Sequence, residues 1–460
     1  MVLKRPFLKS SQLKTQFLFL RSTPFKMLAL VLAALAGITS AQQVGTQQSE
    51  THPKLSWKKC SSGGSCTTVN AEVTIDANWR WLHTTSGTTN CYDGNEWTSS
   101  CSSATDCASK CALEGADYSK TYGASTSGDA LTLGFLTKHD YGTNIGSRFY
   151  LMNGASKYQT FTLMNNEFTF DVDLSTVDCG LNAALYFVAM EEDGGMSSYS
   201  SNKAGAKYGT GYCDAQCARD LKFVGGKANI EGWKPSTNDD NAGVGPYGGC
   251  CAEIDIWESN SHSFAFTPHP CQNNAYHVCE NDGCGGTYSE ERFNGDCDPN
   301  GCDYNPYRMG VTDFYGKGKT LDTSKKFTVV TQFKENAYTQ FFVQNGKKIS
   351  IPGSTFDGLP SESTLTPEFC EAQFRVFGDR AASMRSEVSP RLTRPSLSPW
   401  SSSCRSGTTY PPEKAGTPGG DRGDCPQDSG VPSDVEAKIP NAKVIWSNIR
   451  FGPIGSTVQV

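Results

Sequence analysis

Long apolar runs are missing from this chain of 460 residues. A membrane-spanning helix needs about 20 consecutive apolar residues. The fullest candidate, "MLALVLAALAGITSA" at residues 27–41, is too short and ends in the small residues Thr39, Ser40 and Ala41. No membrane partner is expected, and the run reads as the core and cleavage site of a secretory signal peptide. Charge is scarce too. Charged residues make up 19%, and 41 Lys and Arg against 47 Asp and Glu leave a formal charge of −6. With no basic stripe, nucleic acid is excluded as a partner. The six histidines are scattered, without the paired spacing of a zinc site. Heptads, internal repeats and long amphipathic helices are missing as well, which removes coiled coils and solenoids.

Cysteine, by contrast, is abundant. Nineteen occur, in groups such as "CSSATDC", "CDAQC", "CC" and "CENDGC". With no histidine set beside them, a disulfide framework outweighs metal binding, and disulfides require export. The expected location is extracellular. The 26 residues before the signal core are basic and contain no acid, the composition of a mitochondrial transit peptide. That route does not fit the cysteines. Met27 is the expected true start, and the mature chain is expected from about Gln42.

Short alternating runs dominate the remainder. In "EFTFDVDLS", Phe168, Phe170, Val172 and Leu174 share one face; "AALYFVAM", "KFTVVTQFK", "TQFFVQNGKK" and "AKVIWSNIRFG" behave similarly, each ended by turn residues. Many short strands without an intervening linker predict one all-β domain over 42–460, a two-sheet β-sandwich. The stretches 234–249 and 280–306 read as long, Gly-rich, cysteine-flanked loops, usually functional on such a scaffold.

One run stands apart. "CCAEIDIWESNS" sets Glu253, Asp255 and Glu258 among Ile254, Ile256 and Trp257. Strict alternation puts Glu253, Asp255 and Trp257 on one face and Glu258 on the other. A β-bulge between them restores Glu258, since one extra residue re-aims every later side chain. The two glutamates then lean toward the roughly 5–5.5 Å separation of a retaining glycosidase. One attacks the anomeric carbon; the other, with a raised pKa, protonates the leaving oxygen. Asp255 would hold Glu253 and share its proton. The rival readings are a solvated strand face and, less well supported, a calcium site, which wants more carbonyl oxygens.

The run "GGCCAEIDIWESNS…TPHPC" resembles glycoside hydrolase family seven, the fungal cellobiohydrolases and endoglucanases, with its Glu-x-Asp-x-x-Glu signature after Cys-Cys. The likeness continues in "DANWRWLH", "AGAKYGTGYCDAQC", "CGGTYSEERF", "CDYNPYRMG" and "PNAKVIWSNIRFGPIGST". It implies a concanavalin-like curved antiparallel jelly roll whose long loops form a tunnel. It also implies action on cellulose and cellooligosaccharides without cofactor or metal, by a monomer. Glu253 becomes the nucleophile, Asp255 its helper and Glu258 the acid/base. Trp79 and Trp81, two apart on one strand face and otherwise readable as core, become sugar platforms. Arg148, Asn182, Tyr186, Tyr212, Asp214 and Gln216 become substrate neighbours, and His269 lies beside the cleavage point. Arg292, Arg308 and Arg422 each read alone as surface arginines; together they match the family's product end and favour the tunnel form. No linker or cellulose-binding module is expected beside the catalytic domain.

The resemblance fails over 380–409, "RAASMRSEVSPRLTRPSLSPWSSSCRSGTT". The family has there a strand Met-Val-Leu-Val-Met-Ser, a Trp-Asp-Asp and a further cleft tryptophan. Codons permitted for Arg385 to Thr409 encode that strand when read two bases later. A shifted frame or misplaced splice boundary is the expected cause, against an ordinary disordered insertion. As written, the chain is expected to lack a core strand. Removing Cys404 leaves an even eighteen cysteines. By family spacing these are Cys60, Cys66, Cys91, Cys101, Cys107, Cys111, Cys179, Cys213, Cys217, Cys250, Cys251, Cys271, Cys279, Cys284, Cys297, Cys302, Cys370 and Cys425. Their pairs include Cys213–Cys251, Cys217–Cys250 and Cys179–Cys425. The expected activity is release of cellobiose from cellulose chain ends, reducing ends by family precedent. The alternatives are an endoglucanase of the same family, or a binding-only relative if 380–409 stands as written.

Overall fold

Alternating apolar residues build the strands Lys54–Cys60 (β1), Cys66–Ile75 (β2), Ala130–Gly134 (β3), Ser147–Met152 (β4), Asn166–Asp173 (β5) and Leu181–Val188 (β6). The second half adds Glu253–Ser259 (β7), Phe264–His269 (β8), Phe327–Lys334 (β9), Ala337–Gln344 (β10), Pro399–Cys404 (β11) and Lys443–Pro453 (β12). The structure, a computed structural model, describes residues 42–237, 239–379 and 416–459, and the strand backbone at 396–397 and 399–404. The chain divides into two compact units, Met1–Ile38 and Thr39–Val460. The signal segment expected at 1–41 lies outside the described residues. All the strands β1 to β12 belong to the second unit.

Antiparallel pairing runs β1–β2–β4–β11–β6–β7–β8 in one layer. The other layer runs β3–β12–β5–β9–β10, also antiparallel. They join where β1 meets β12 in parallel, Lys58 opposite Arg450 and Lys59 opposite Phe451. The faces between the layers close one core, in which Phe168, Phe170 and Val172 of β5 meet Leu185 and Phe187 of β6 and Trp257 of β7. Ring centroids lie 5.1 Å apart for Phe168–Phe187 and 5.8 Å for Trp257–Phe342. This is the β-sandwich that the alternation predicts.

Two expectations change. "AALYFVAM" does not expose one face. Leu185 and Phe187 enter the central core, while Ala184, Tyr186 and Val188 join Tyr150, Met152 and Tyr212 in a second cluster on the far side. Loops cover that far face, so β6 is buried on both sides. The segment 380–409 also yields strand where none was expected: β11 pairs with β4 and with β6, Leu181 to Leu185 opposite Cys404 to Trp400. The slot between β4 and β6 offers two rows of backbone donors and acceptors, and backbone pairing is indifferent to side-chain pattern. The side chains of β11, Cys404 included, and residues 380–395 and 405–415 lie outside the described residues.

Among the described residues nine disulfides tie the loops: Cys60–Cys66, Cys91–Cys111, Cys101–Cys107, Cys179–Cys425, Cys213–Cys251, Cys217–Cys250, Cys271–Cys297, Cys279–Cys284 and Cys302–Cys370. The helix Pro367–Phe377 (α1) starts where Thr366 Oγ1 accepts from Phe369 N at 3.1 Å, with proline in its first turn, and stops at Gly378. Gln373 on α1 donates to the Asp303 carbonyl at 2.6 Å, tying the helix to the stretch that carries Arg308. Among the described residues no helix is long and apolar enough to cross a membrane.

Candidate active site

The bulge that the acids require is present in β7. Against β6, Trp257 faces Leu185 and Asp255 faces Tyr186, so Ile256 is the extra residue. Against β8, Asp255 faces Thr267 and Glu258 faces Ala265, leaving Ile256 and Trp257 opposite Phe266 alone. Ile254, Ile256 and Trp257 all enter the central core, while Glu253, Asp255 and Glu258 line the opposite side. The placement of Trp257 with the acids by strict alternation is therefore corrected. Trp257, fully buried and stacked on Phe264 at 4.9 Å, holds the core side of the bulge. Burying indole outweighs the lost ladder bonds.

Glu253 Oε2 accepts from Ala215 N at 3.0 Å. Burial, then the charges of Asp255 and Asp214, hold its carboxyl well above the ordinary glutamate range. The carboxyl held high is thus Glu253, where the raised pKa was expected on the acid partner. Asp255 Oδ2 meets His269 Nε2 at 3.0 Å, and His269 Nδ1 lies 2.9 Å from the Asp298 carbonyl. A carbonyl only accepts, so Nδ1 carries hydrogen, and the Nε2 contact needs a further proton on His269 or on Asp255. One proton is shared across that pair. Asn182 Nδ2 donates to Glu258 Oε1 at 2.9 Å from the neighbouring strand β6.

A cleft of about 2860 Å³ is lined by these groups and by every residue expected to contact substrate. Tyr186 and Tyr212 hydroxyls lie 3.1 Å apart, Tyr212 donates to Asp214 at 2.8 Å, and Asp214 accepts from Ala218 N. Arg148 bonds Asp76 Oδ2 through Nε at 3.1 Å and lies between Trp79 and Tyr212, 5.3 and 3.2 Å from their centroids. Trp79 and Trp81 are not on a strand. Ala77–Trp79 forms a 3-10 turn capped by Asp76, which accepts from Asn78 N at 2.6 Å, and Trp81 comes two residues after the turn. The cap satisfies the turn locally and ends β2 at Ile75. Both indoles still line the cleft.

Beyond the acids, Gln216 accepts from Thr287 and Arg292 and donates to the Pro299 carbonyl. Gly286 is required beside it: φ is +69°, and a Cβ there would lie 2.1 Å from the Gln216 carbonyl. Arg308 is not a surface arginine. It is 3% exposed, ion-paired to Asp303 and Asp379, and donates to the Gly419 carbonyl. Arg422 shares Asp303 at 3.8 Å. Glu253, Asp255 and His269 could bring three metal-binding atoms within 4.8 Å of one another. Both His269 nitrogens are already engaged, however, and the set has too few oxygens for a hard cation.

The model of glycosyl hydrolase family 7 matches residues 44–458. The chain belongs to this family. Among solved structures it is similar to the Melanocarpus albomyces cellobiohydrolase complexed with cellotetraose, at 65% identity and TM-score 0.89 over 91% of this chain and 100% of that one. A family 7 cellobiohydrolase from Daphnia pulex matches at 44% identity and TM-score 0.87, over 90% and 100%. A Humicola insolens endocellulase matches at 33% and 0.75, over 90% and 100%.

The cleft of this family 7 chain also holds groups that sequence reading missed. Asp220 is half-buried and pushed up by its desolvation; Lys222 is half-buried and drawn down by the same cause to about 8. Lys222 Nζ donates to the Asn78 carbonyl at 2.8 Å. In "ARDLKF" both look like ordinary surface charges, and no local pattern marks them.

Proposed function

We propose that this protein is a secreted cellobiohydrolase that cleaves β-1,4-glucosidic bonds of cellulose with retention and releases cellobiose from chain ends, preferentially the reducing end. The observation that carries this is the bulged β7, which sets Glu253, Asp255 and Glu258 on one wall of a cleft lined with aromatics and hydroxyl partners. Glu253 attacks the anomeric carbon while Glu258 gives its proton to the glycosidic oxygen; Glu258 then takes a proton from the water that breaks the glycosyl ester. Two inversions give retention. Glu253 must be ionised to attack, and its burial opposes that. The proton held between Asp255 and His269 offsets one neighbouring negative charge and so favours the carboxylate.

Chain-end attack is supported by greater identity to the cellobiohydrolases than to the endocellulase, and by the residues of 239–242 and 286–289 lining the cleft. Retention is supported by glycosynthase variants described for a Humicola insolens relative, since a glycosynthase is a retaining glycosidase without its nucleophile. The test is Glu253→Ala. Hydrolysis of a chromogenic cellobioside should vanish, and added azide, a small nucleophile that fits the space left, should restore turnover. A variant as active as the parent would remove Glu253 from this role. A steep fall in carboxymethylcellulose viscosity per bond cut would instead favour the endoglucanase.

The segment 380–409 belongs to this proposal as a frame-shifted or mis-spliced stretch. Sequencing the transcript across it tests that: an encoded Met-Val-Leu-Val-Met-Ser strand supports it. The residues as written would favour the binding-only alternative.

A further inference from the structure

Trp81 is one of the few large apolar side chains left exposed, at 37%, and a free indole there would sample several rotamers. Three contacts hold it. Its Nε1 donates to Asn90 Oδ1 at 2.8 Å, its carbonyl accepts from Glu114 N at 3.0 Å, and its ring stacks on His83 with centroids 4.0 Å apart and planes 28° apart.

The partners of His83 decide its charge. Nδ1 lies 3.0 Å from the Thr84 carbonyl and 2.8 Å from the Gly87 carbonyl, and Nε2 lies 2.7 Å from Glu114 Oε2. Glu114 already accepts from the N–H groups of Gln47, Gln48 and Gly115, each at 3.0 Å. Burial would raise its carboxyl, but those backbone bonds and His83 outweigh it and hold it below the ordinary range. Glu114 is therefore an anion with no proton to give. Both ring nitrogens of His83 face acceptors, so both are placed to donate, the arrangement that suits an imidazolium.

We propose that His83 is a positioning residue: a buried imidazolium that pins Trp81 flat by a cation–π stack, leaving the other indole face as a preformed platform for a sugar ring at the outer cleft. Holding the indole in its bound rotamer removes ordering cost from binding. The same Glu114 ties the segment Gln47–Gln48 to the platform, so the start of the folded domain helps build it. The role rests on the reading of Trp81 as a substrate contact.

The test uses the full chain carrying Glu253→Gln, so that oligosaccharides persist, with binding measured by calorimetry. Trp81→Ala should weaken cellohexaose binding; if it does not, the platform reading falls, and this inference with it. Given that loss, His83→Gln, which keeps hydrogen bonding without the cation, should weaken cellohexaose about three- to tenfold while cellobiose binding changes less than about twofold. Equal loss for both sugars would mark His83 as structural, and no loss for either would refute its role. Because His83 is buried, an independent readout on the parent is nitrogen NMR with labelled histidine in neutral buffer. The His83 ring, assigned by its absence from the His83→Gln spectrum, should show both nitrogens protonated and lose that signature in Glu114→Gln; a neutral His83 tautomer in the parent would overturn the inference.

Discussion

At the residue scale, burial and charge at Glu253 set a pH dependence whose sign comes from its raised carboxyl. The folded state keeps a proton there that the unfolded chain releases above its ordinary value of 4.5. The native form then binds more protons, so stability falls as pH rises from about 4.5 toward the raised folded value. Glu253→Gln removes that loss. Its melting temperature should exceed the parent's, and the gap should widen with pH across this window in a thermal-shift series. Its activity should fall by about 10⁴-fold or more, as for other nucleophile deletions. A variant gaining stability while losing activity is expected where a site holds an acid in a place the fold disfavours. This residue was legible in the sequence by type and spacing; its raised pKa was not, because that depends on Asp214, 39 positions upstream, and on the depth of the cleft.

At the scale of the element, β7 works through one extra residue. Deleting Ile256 should remove the bulge and restore simple alternation, with Trp257 still in the core and Glu258 still on the cleft wall. The loss of the buried Ile256 side chain should cost about 2–5 kcal/mol in chemical denaturation, while the folded fraction keeps hydrolysis of a chromogenic cellobioside. Trp257→Ala keeps the register and tests the core side alone. It should lose about 3–5 kcal/mol in denaturation while any folded fraction keeps its cleft residues. The need for a bulge could be read from the parity of Glu253 and Glu258. Its position at Ile256–Trp257 could not, since that is decided by how much apolar surface the facing sheet will accept. The 3-10 turn under Trp79 was hidden for a related reason: its cap, Asp76, looks like any polar residue in an alternating run.

At the scale of the whole molecule, the link Cys179–Cys425 joins residues 246 apart and brings the stretch carrying Arg422 to the start of β6. Replacing both cysteines by serine should destabilise by about 2–5 kcal/mol. It should also weaken binding of cellobiose, the product, more than binding at the Trp81 end, measured by calorimetry on the oxidised protein. The two halves of the cleft are thereby separable. Local chemistry determined much by itself: the disulfide framework, from cysteine count; class, from period-two runs; and the acid trio, from residue type and spacing. These are short-range properties, carried by neighbours along the chain. Only the tertiary structure decided the facing of Trp257, the burial of Arg308, the place of Lys222 in the cleft, the acceptors around both nitrogens of His83 and the strand pairing of 399–404. Each of those depends on which distant groups surround a side chain or leave a backbone slot open, and no window of sequence contains them.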